Sequence, residues 1–458
     1  MLNGSRPRHG GMKLVPPLPP IPAQSAGRDS ALDAVRAWSL AVVVFGHFLM
    51  QIVYWAPDDI LISSNTLSSG RAWPFVTWIL QVMPLFFLAG GAVNRASWQR
   101  FEGSYSEWIW KRVQRLLRPT MFLIFTLALI FSLLTLTADV SYLETLCIGI
   151  VGPLWFLGIY IPVISLTKFT VAWHERFGLK FVVLLVVLVV VVDALRFSVL
   201  PQIGALNALF AWVLAHQLGY FYDDGVNKRV VGVVAAAAIM VNLAMTQLLR
   251  WYPTSMVGLP TDAISNINPP TIAFVVHIIT LSCLFMVAAQ RIRSALTRPA
   301  LFRLTSRLGL LAMSLFLWHM PVLVIWYWLM HRLGRDLPTV WLGDELVVPA
   351  GSDYWLWMIP WTAMYGLTVY GLLRIVWPLE YIRLPWFDRP ASGGWRPPVW
   401  LGVTCIALGM LSLAGASFVG FPFGLRTLYG LPINNGLAVL SVIFGLIATR
   451  QAAQVSAE

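Results

Sequence analysis

Charge is scarce in this sequence. Asp, Glu, Lys and Arg make up 11% of its 458 residues, and the two acids together supply only 20, whereas 58% of the chain is hydrophobic. So little charge cannot cover a water-soluble surface, and apolar runs of about 20 residues recur, long enough to cross a ~30 Å hydrocarbon core as helices. Cysteine is scarcer still. Cys147, Cys283 and Cys405 lie far apart in apolar runs, a spacing that suits neither a disulfide framework nor a metal site and predicts packing residues. No phosphate-loop glycine pattern is present, which excludes an ATP-driven pump. There is no Gly-x-Ser-x-Gly elbow, no repeat of roughly 20–50 residues and no polar stretch long enough for an appended soluble domain. An interior Asp or Glu is expected in no span, which counts against an ion-coupled transporter.

The apolar runs predict spans near 34–54, 74–93, 119–138, 148–168, 180–198, 203–222, 230–249, 271–290, 308–331, 355–377, 399–419 and 435–450. The last is barely long enough, so ten, eleven or twelve crossings are compatible with the sequence. The expected fold is all-α, a polytopic transmembrane helical bundle with its N-terminus in the cytoplasm. With that orientation the inner segments hold 26 of the 32 Lys and Arg residues and the outer segments 6, while the acids divide evenly. This positive-inside bias accounts for most of the net charge of +12 without a nucleic-acid partner. Residues 1–30, rich in Pro, Arg and Gly, read as a disordered cytoplasmic tail. They lack the features of a cleaved signal peptide, so the first span is expected to remain as an anchor. Residues 31–398 form the expected membrane domain, and 399–458 an additional helical hairpin with a short tail.

Ionisable groups at membrane depth are costly and tend to have functions. Arg36 and His47 stand 11 positions apart in the first span. A helix then places them about 20° apart on one face, with His47 about 16 Å deeper. The stripe offers an anion clamp at the rim and a proton acceptor in the interior. Asp33, at i−3 from Arg36, can orient the guanidinium. Arg112, Arg115 and Arg118 follow one another at i, i+3 steps on the rim of the third span. Read as sharing one helical face, they form either a phosphate-gripping surface or a plain topology signal. Met83–Gly91, Gly152–Gly158 and Leu317–Pro321 are aromatic and small-residue signatures that serve packing or shape a cavity. Within them, Trp155 and His319 are candidates for a substrate cavity, and Pro321 is expected to free a carbonyl partner for His319. Asn268 and His277 are weaker candidates for the same cavity, and His216 is expected to be structural.

Taken in order, these motifs resemble the membrane-bound acyltransferase-3 family. The Arg, ten residues and His of the first span, preceded by Leu32-Asp33, are the first match. Met83–Gly91, Arg112-x-x-Arg115, Leu154–Leu157 and Trp318–Pro321 follow, and the resemblance covers roughly residues 28–377. Gly152–Tyr160 and Asn268–Thr271 look like an actinobacterial branch, similar to envelope glycolipid acetyltransferases that act on mycolyl trehalose. The resemblance implies transfer of an acyl group, commonly acetyl, from cytoplasmic acyl-CoA to a hydroxyl of an extracytoplasmic carbohydrate or glycolipid. It implies a bacterial plasma-membrane location, contact with membrane lipids and envelope-lipid export machinery, and acyl-CoA as co-substrate with no permanently bound cofactor or metal. Arg112, Arg115, Arg118 and Arg36 would hold the CoA phosphates. His47 would be the base, with Trp155 or His319 as oxyanion donors. Transfer through an acyl-His47 intermediate is the kinetic alternative. A lipid or glycoconjugate flippase is the competing class. Residues 399–450 go beyond the family's core of about ten spans as an added helical pair, and the fused esterase-like domain of some relatives is absent.

Overall fold

The computed structural model describes residues 29–55, 61–70, 72–137, 149–342, 346–380, 385–388, 391, 394–415, 418, 421–428 and 431–454. Apart from Asp29 and Ser30, the expected disordered tail lies outside the described residues, as does Cys147.

The protein is an all-α helical bundle, and within the described residues each run read as a span carries a helix. The helices are α1 (Ser30–Met50), α2 (Thr77–Leu80), α3 (Met83–Gln99) and α4 (Tyr105–Thr137). Next come α5 (Trp155–Ser165), α6 (Thr167–Phe177), α7 (Leu179–Ser198) and α8 (Ala205–Asp224). After these are α9 (Lys228–Leu243), α10 (Ile272–Ala295), α11 (Pro299–Arg332) and α12 (Gly351–Glu380). The series closes with α13 (Pro385–Asp388), α14 (Val399–Gly415) and α15 (Asn435–Ala452). Three small antiparallel hairpins sit in the connections: Gln51–Trp55 with Leu61–Asn65, Thr339–Leu342 with Leu346–Pro349, and Leu425–Leu428 with Leu431–Asn434.

Among the described residues, 8 helical segments are long and apolar enough to cross a membrane, and a bent pair formed by Gly149–Ser165 and α6 would make 9. The remaining predicted crossings fall short for identifiable reasons. α8 buries Asn207, His216 and Gln217, and α14 has only 17 residues. α12 is long, but it interleaves polar and aromatic side chains with two prolines, Pro360 and Pro378. Exposed Val183, Val187, Val190 and Val191 on α7 are the pattern expected of a helix facing lipid.

Helix contacts follow the small residues. A Cβ on Gly91 of α3 would collide with the His216 carbonyl of α8, and one on Gly219 of α8 would collide with the Leu88 carbonyl of α3. These two glycines therefore let the backbones touch, the close approach that membrane helices use in place of a hydrophobic drive. Pro84 does not break a helix. It occupies the first turn of α3, after the break at Gln81 and Val82 that separates α3 from α2. α1 packs against α3, α10 and α11, and α14 and α15 pack on each other and reach α5 and α4 respectively. The C-terminal pair thus buttresses two helices that carry Trp155 and Arg115. Cys283 is buried and Cys405 half-buried, both with free thiols, as the packing expectation has it.

Asp29 fixes the start of α1. Its carboxylate accepts from the Ala31 backbone N–H at 2.9 Å, from the Tyr222 hydroxyl at 2.7 Å and from Arg293 Nη2 at 2.5 Å, tying α1 to α8 and α10. Burial pushes this carboxyl upward, but the hydrogen bonds from Arg293, Tyr222 and Ala31 outweigh it and hold the group below the ordinary aspartate value of 3.8. A folded-state value depressed in this way stabilises the fold fully above the unfolded value and loses that contribution as pH falls. Asp29→Ala is expected to cost about 1 kcal/mol at neutral pH, the usual worth of such a cap. Thermal unfolding in detergent should show the gap to wild type shrinking once the pH drops below about 4.

Candidate active site

His47 of α1 and His319 of α11 are brought together. His47 Nδ1 lies 2.8 Å from His319 Nε2, and the rings stack with centroids 5.1 Å apart. His319 Nδ1 lies 2.6 Å from the Phe316 carbonyl, which can only accept. In the neutral pair His319 therefore carries its proton on Nδ1, and its Nε2 accepts from His47 Nδ1–H. His47 Nε2 is left with a lone pair. His319 is fully buried, its own carbonyl accepting from the Tyr365 hydroxyl at 3.0 Å. His47 is half-buried and borders a cavity of about 210 Å³ with Gln81, Trp155, Phe156, Val257 and Phe316. The carbonyl used by His319 is not the one Pro321 releases: a proline at 321 leaves Leu317 without its helical donor, whereas His319 reaches back to Phe316.

Arg36 opens into a second cavity, of about 410 Å³, shared with Asp33, Arg115, Phe86, Phe156 and Phe316. Its guanidinium lies 5.8 Å from the Phe86 ring centre, and its Nε–H is buried without a hydrogen-bond partner. An unpaired buried donor of this kind favours an anion. Among the described residues no ion pair joins Asp33 to Arg36, although both line this wall.

The three arginines of α4 part company. Each step of three residues falls about 60° short of a full turn, so Arg112 and Arg118 end about 120° apart. Only Arg115 reaches the Arg36 cavity. Arg112 stacks 3.6 Å over the Trp108 ring. It donates from Nε to Asn94 Oδ1 at 3.3 Å, from Nη1 to the Trp108 carbonyl at 3.3 Å and from Nη2 to the Ser97 hydroxyl. Arg118 lies 5.2 Å from the Phe387 ring centre.

Of the weaker candidates, Trp155 lines the His47 cavity. His277 is buried with its ring centre 6.0 Å from that of Trp78 and 6.3 Å from that of Phe274, outside the lining of either cavity. Asn268 is exposed on the loop before α10, and it is Ile267 that lines the cavity.

Several residues that sequence reasoning passed over are built into the same region. Asn94 accepts from Arg112, so its amide nitrogen faces His216 Nε2 at 3.2 Å as donor. His216 Nδ1–H then points to the Tyr220 hydroxyl at 3.3 Å, which bonds Thr170 at 2.8 Å. One span also contains a buried acid, contrary to expectation, and a second buried acid lies just past another predicted run. Asp193 of α7 bonds Arg196 at 3.1 Å, Asn207 at 3.0 Å, Tyr252 at 3.2 Å and the Ile272 N–H at 2.7 Å. Glu380, at the end of α12, accepts from Trp318 Nε1 at 2.7 Å and from the Ser314 hydroxyl, one turn apart on α11. The signal available in the sequence was the polar residue itself, Asp193 inside an apolar run and Glu380 three residues past another. The argument against ion coupling from a lack of interior acids therefore falls away.

Residues 29–379 match the acyltransferase-3 family, described as an acyltransferase domain. α14 and α15 lie beyond the match. No curated protein and no solved structure matches the chain. Asn94→Leu would strand the Arg112 Nε–H and the His216 Nε2 inside the bundle. It is expected to lower stability by about 1–3 kcal/mol, read as a drop in melting temperature in one detergent, and an unchanged melting temperature would remove Asn94 from its bracing role.

Proposed function

The chain belongs to the acyltransferase-3 family, and on that premise we propose that it moves an acyl group, acetyl in the simplest case, from acyl-CoA to a hydroxyl of a carbohydrate or glycolipid acceptor. The chain is a multi-pass membrane acyltransferase. The donor, the acceptor and the plasma membrane of a bacterium as its site are our reading. The observation that carries the reading is the directed hydrogen bond from His47 to His319, which leaves His47 Nε2 as an acceptor at the edge of a cavity.

On this reading the basic face is cytoplasmic, following the distribution of Lys and Arg. The CoA phosphates bind at Arg36 and Arg115, with Arg112 bracing the helix that carries Arg115, while Arg118, over the Phe387 ring, lies outside that cavity's lining. Asp33 adjusts the field at Arg36. The thioester reaches the His47 cavity. His47 Nε2 takes the proton of the acceptor hydroxyl as its oxygen attacks the thioester carbonyl. The tetrahedral adduct collapses, the C–S bond breaks, and the CoA thiolate leaves with the proton from His47 Nε2. During the step the imidazolium is held by its Nδ1–H bond to His319, a bond that strengthens once charged. His319 is therefore a positioning and charge-sharing group, since both its ring nitrogens are engaged, and Trp155 is the oxyanion donor candidate on the cavity wall.

Purified, reconstituted protein with radiolabelled acetyl-CoA and candidate acceptors tests the reading. Label appearing in the acceptor supports it, and acceptor crossing the bilayer with no CoA released would favour the flippase. His47→Ala is expected to lower transfer at least 100-fold, roughly the worth of a general base, with equilibrium CoA binding retained. Full activity in that variant would sink the assignment. Arg115→Ala should raise the acyl-CoA concentration at half-maximal rate roughly tenfold or more, as expected for losing a charge-assisted hydrogen bond. An unaltered donor requirement would take Arg115 out of the donor site.

A further inference from the structure

The anion cavity and the histidine cavity are separate, and two residues, Phe156 of α5 and Phe316 of α11, line both. Their rings meet edge to face with centroids 5.2 Å apart, and both side chains are almost fully buried, at 2% and 3% exposure. Phe86, on the anion side, meets Phe156 edge to face at 5.3 Å and carries the Arg36 guanidinium on its own ring. An unbroken aromatic line therefore runs from Arg36 through Phe86, Phe156 and Phe316 to His319, whose ring centre is 6.1 Å from that of Phe316.

We propose that the Phe156–Phe316 pair is the specificity-determining wall of the reaction, a ring gate that passes the thin arm of a thioester donor and holds back water and bulky acyl groups. The inference rests on the reading that the donor is anchored at Arg36 and Arg115 while its thioester reacts at His47. A donor held that way has to cross this partition. The wall opens by rotation of its rings, not by a shift of α11. A shift of α11 would carry the Phe316 carbonyl along with His319 but pull His319 away from His47 on α1, breaking the 2.8 Å bond between the two rings. Ring rotation leaves that bond in place. Shielding of this kind suppresses hydrolysis of a reactive intermediate or donor.

The test uses the full-length protein in lipid, with acetyl-, butyryl- and octanoyl-CoA, and measures both acyl transfer and CoA release to water. Phe156→Ala and the milder Phe156→Leu and Phe316→Leu are expected to raise the ratio of hydrolysis to transfer by about tenfold and to extend the acyl lengths accepted. Phe156→Trp is expected to slow transfer by about tenfold or more while CoA binding at equilibrium stays within about twofold. Folded leucine variants with a wild-type ratio and a wild-type chain-length profile would overturn the wall, as would a tryptophan variant that loses CoA binding in step with transfer.

A second readout does not depend on the donor. Of the two cavities, Val43 lines that of His47 and not that of Arg36. Val43→Cys, in a chain with Cys147, Cys283 and Cys405 changed to serine, is expected to react with a small charged thiol reagent from the basic side faster when Phe156 is alanine than when it is phenylalanine. Equal labelling rates would overturn the proposal. Wall-dependent labelling in a protein that transfers from no acyl-CoA would retain the wall and remove the donor reading.

Discussion

A polar group placed at membrane depth has no water to fall back on, so it must be answered by another group of the protein. The bond between His47 and His319 is the centre of that constraint here. It joins α1 to α11, and its direction is imposed from outside the pair by the Phe316 carbonyl. A carbonyl cannot donate, so one fixed acceptor at Phe316 determines the proton positions on both rings. The free lone pair at His47 Nε2 is thus a property of backbone geometry on a different helix. The same logic repeats at Asn94, where Arg112, which can only donate, orients the amide and through it the His216 ring.

The helical bundle, and the sharing of its first helix by Arg36 and His47, were legible because they depend on quantities a sequence carries directly: run length, apolarity and a spacing close to three helical turns. The family match over residues 29–379 agrees with the region marked by the ordered motifs. What the sequence could not supply was pairing across helices. His319 stood out beside Pro321, yet nothing in a linear chain says that it faces His47 across 272 positions. Asp193 and Glu380 escaped notice for the same reason, since an acid near the end of an apolar run looks interfacial until its donors from other helices are in view. The three α4 arginines were misread through a smaller error. Steps of three look regular in a sequence but drift around the helix, which separates a cavity residue, Arg115, from a brace, Arg112.

The added α14–α15 pair shows how sequence outside the matched family region can still bear on the site. It packs on α5 and α4, the helices that carry Phe156 with Trp155 and Arg115. Arg450 of α15 lies 4.7 Å from the ring centre of Trp386, which meets both Phe387 and Trp110, so the end of the hairpin is tied to the basic face near Arg118. These are contacts of support, since neither cavity is lined by a residue of the pair.

On the proposed reading, keeping the anion clamp apart from the base has an energetic reason. Proton abstraction would create an imidazolium at His47, and a nearby guanidinium not neutralised by bound phosphate would oppose it. Two like charges about 16 Å apart, the rise from Arg36 to His47, repel by about 1 kcal/mol at an effective dielectric of about 20, against about 4 kcal/mol at 4 Å. An unneutralised guanidinium beside the base would therefore take up to roughly 3 kcal/mol out of the catalytic step, more than a hundredfold in rate. Distance along one helix stripe removes most of that penalty, and the long, uncharged arm of the proposed CoA-type donor would let the clamp and the base stand so far apart. On the same reading the proposed partition between the two cavities follows from this arrangement, because a base in a closed chamber is useful only while bulk water is kept out of it.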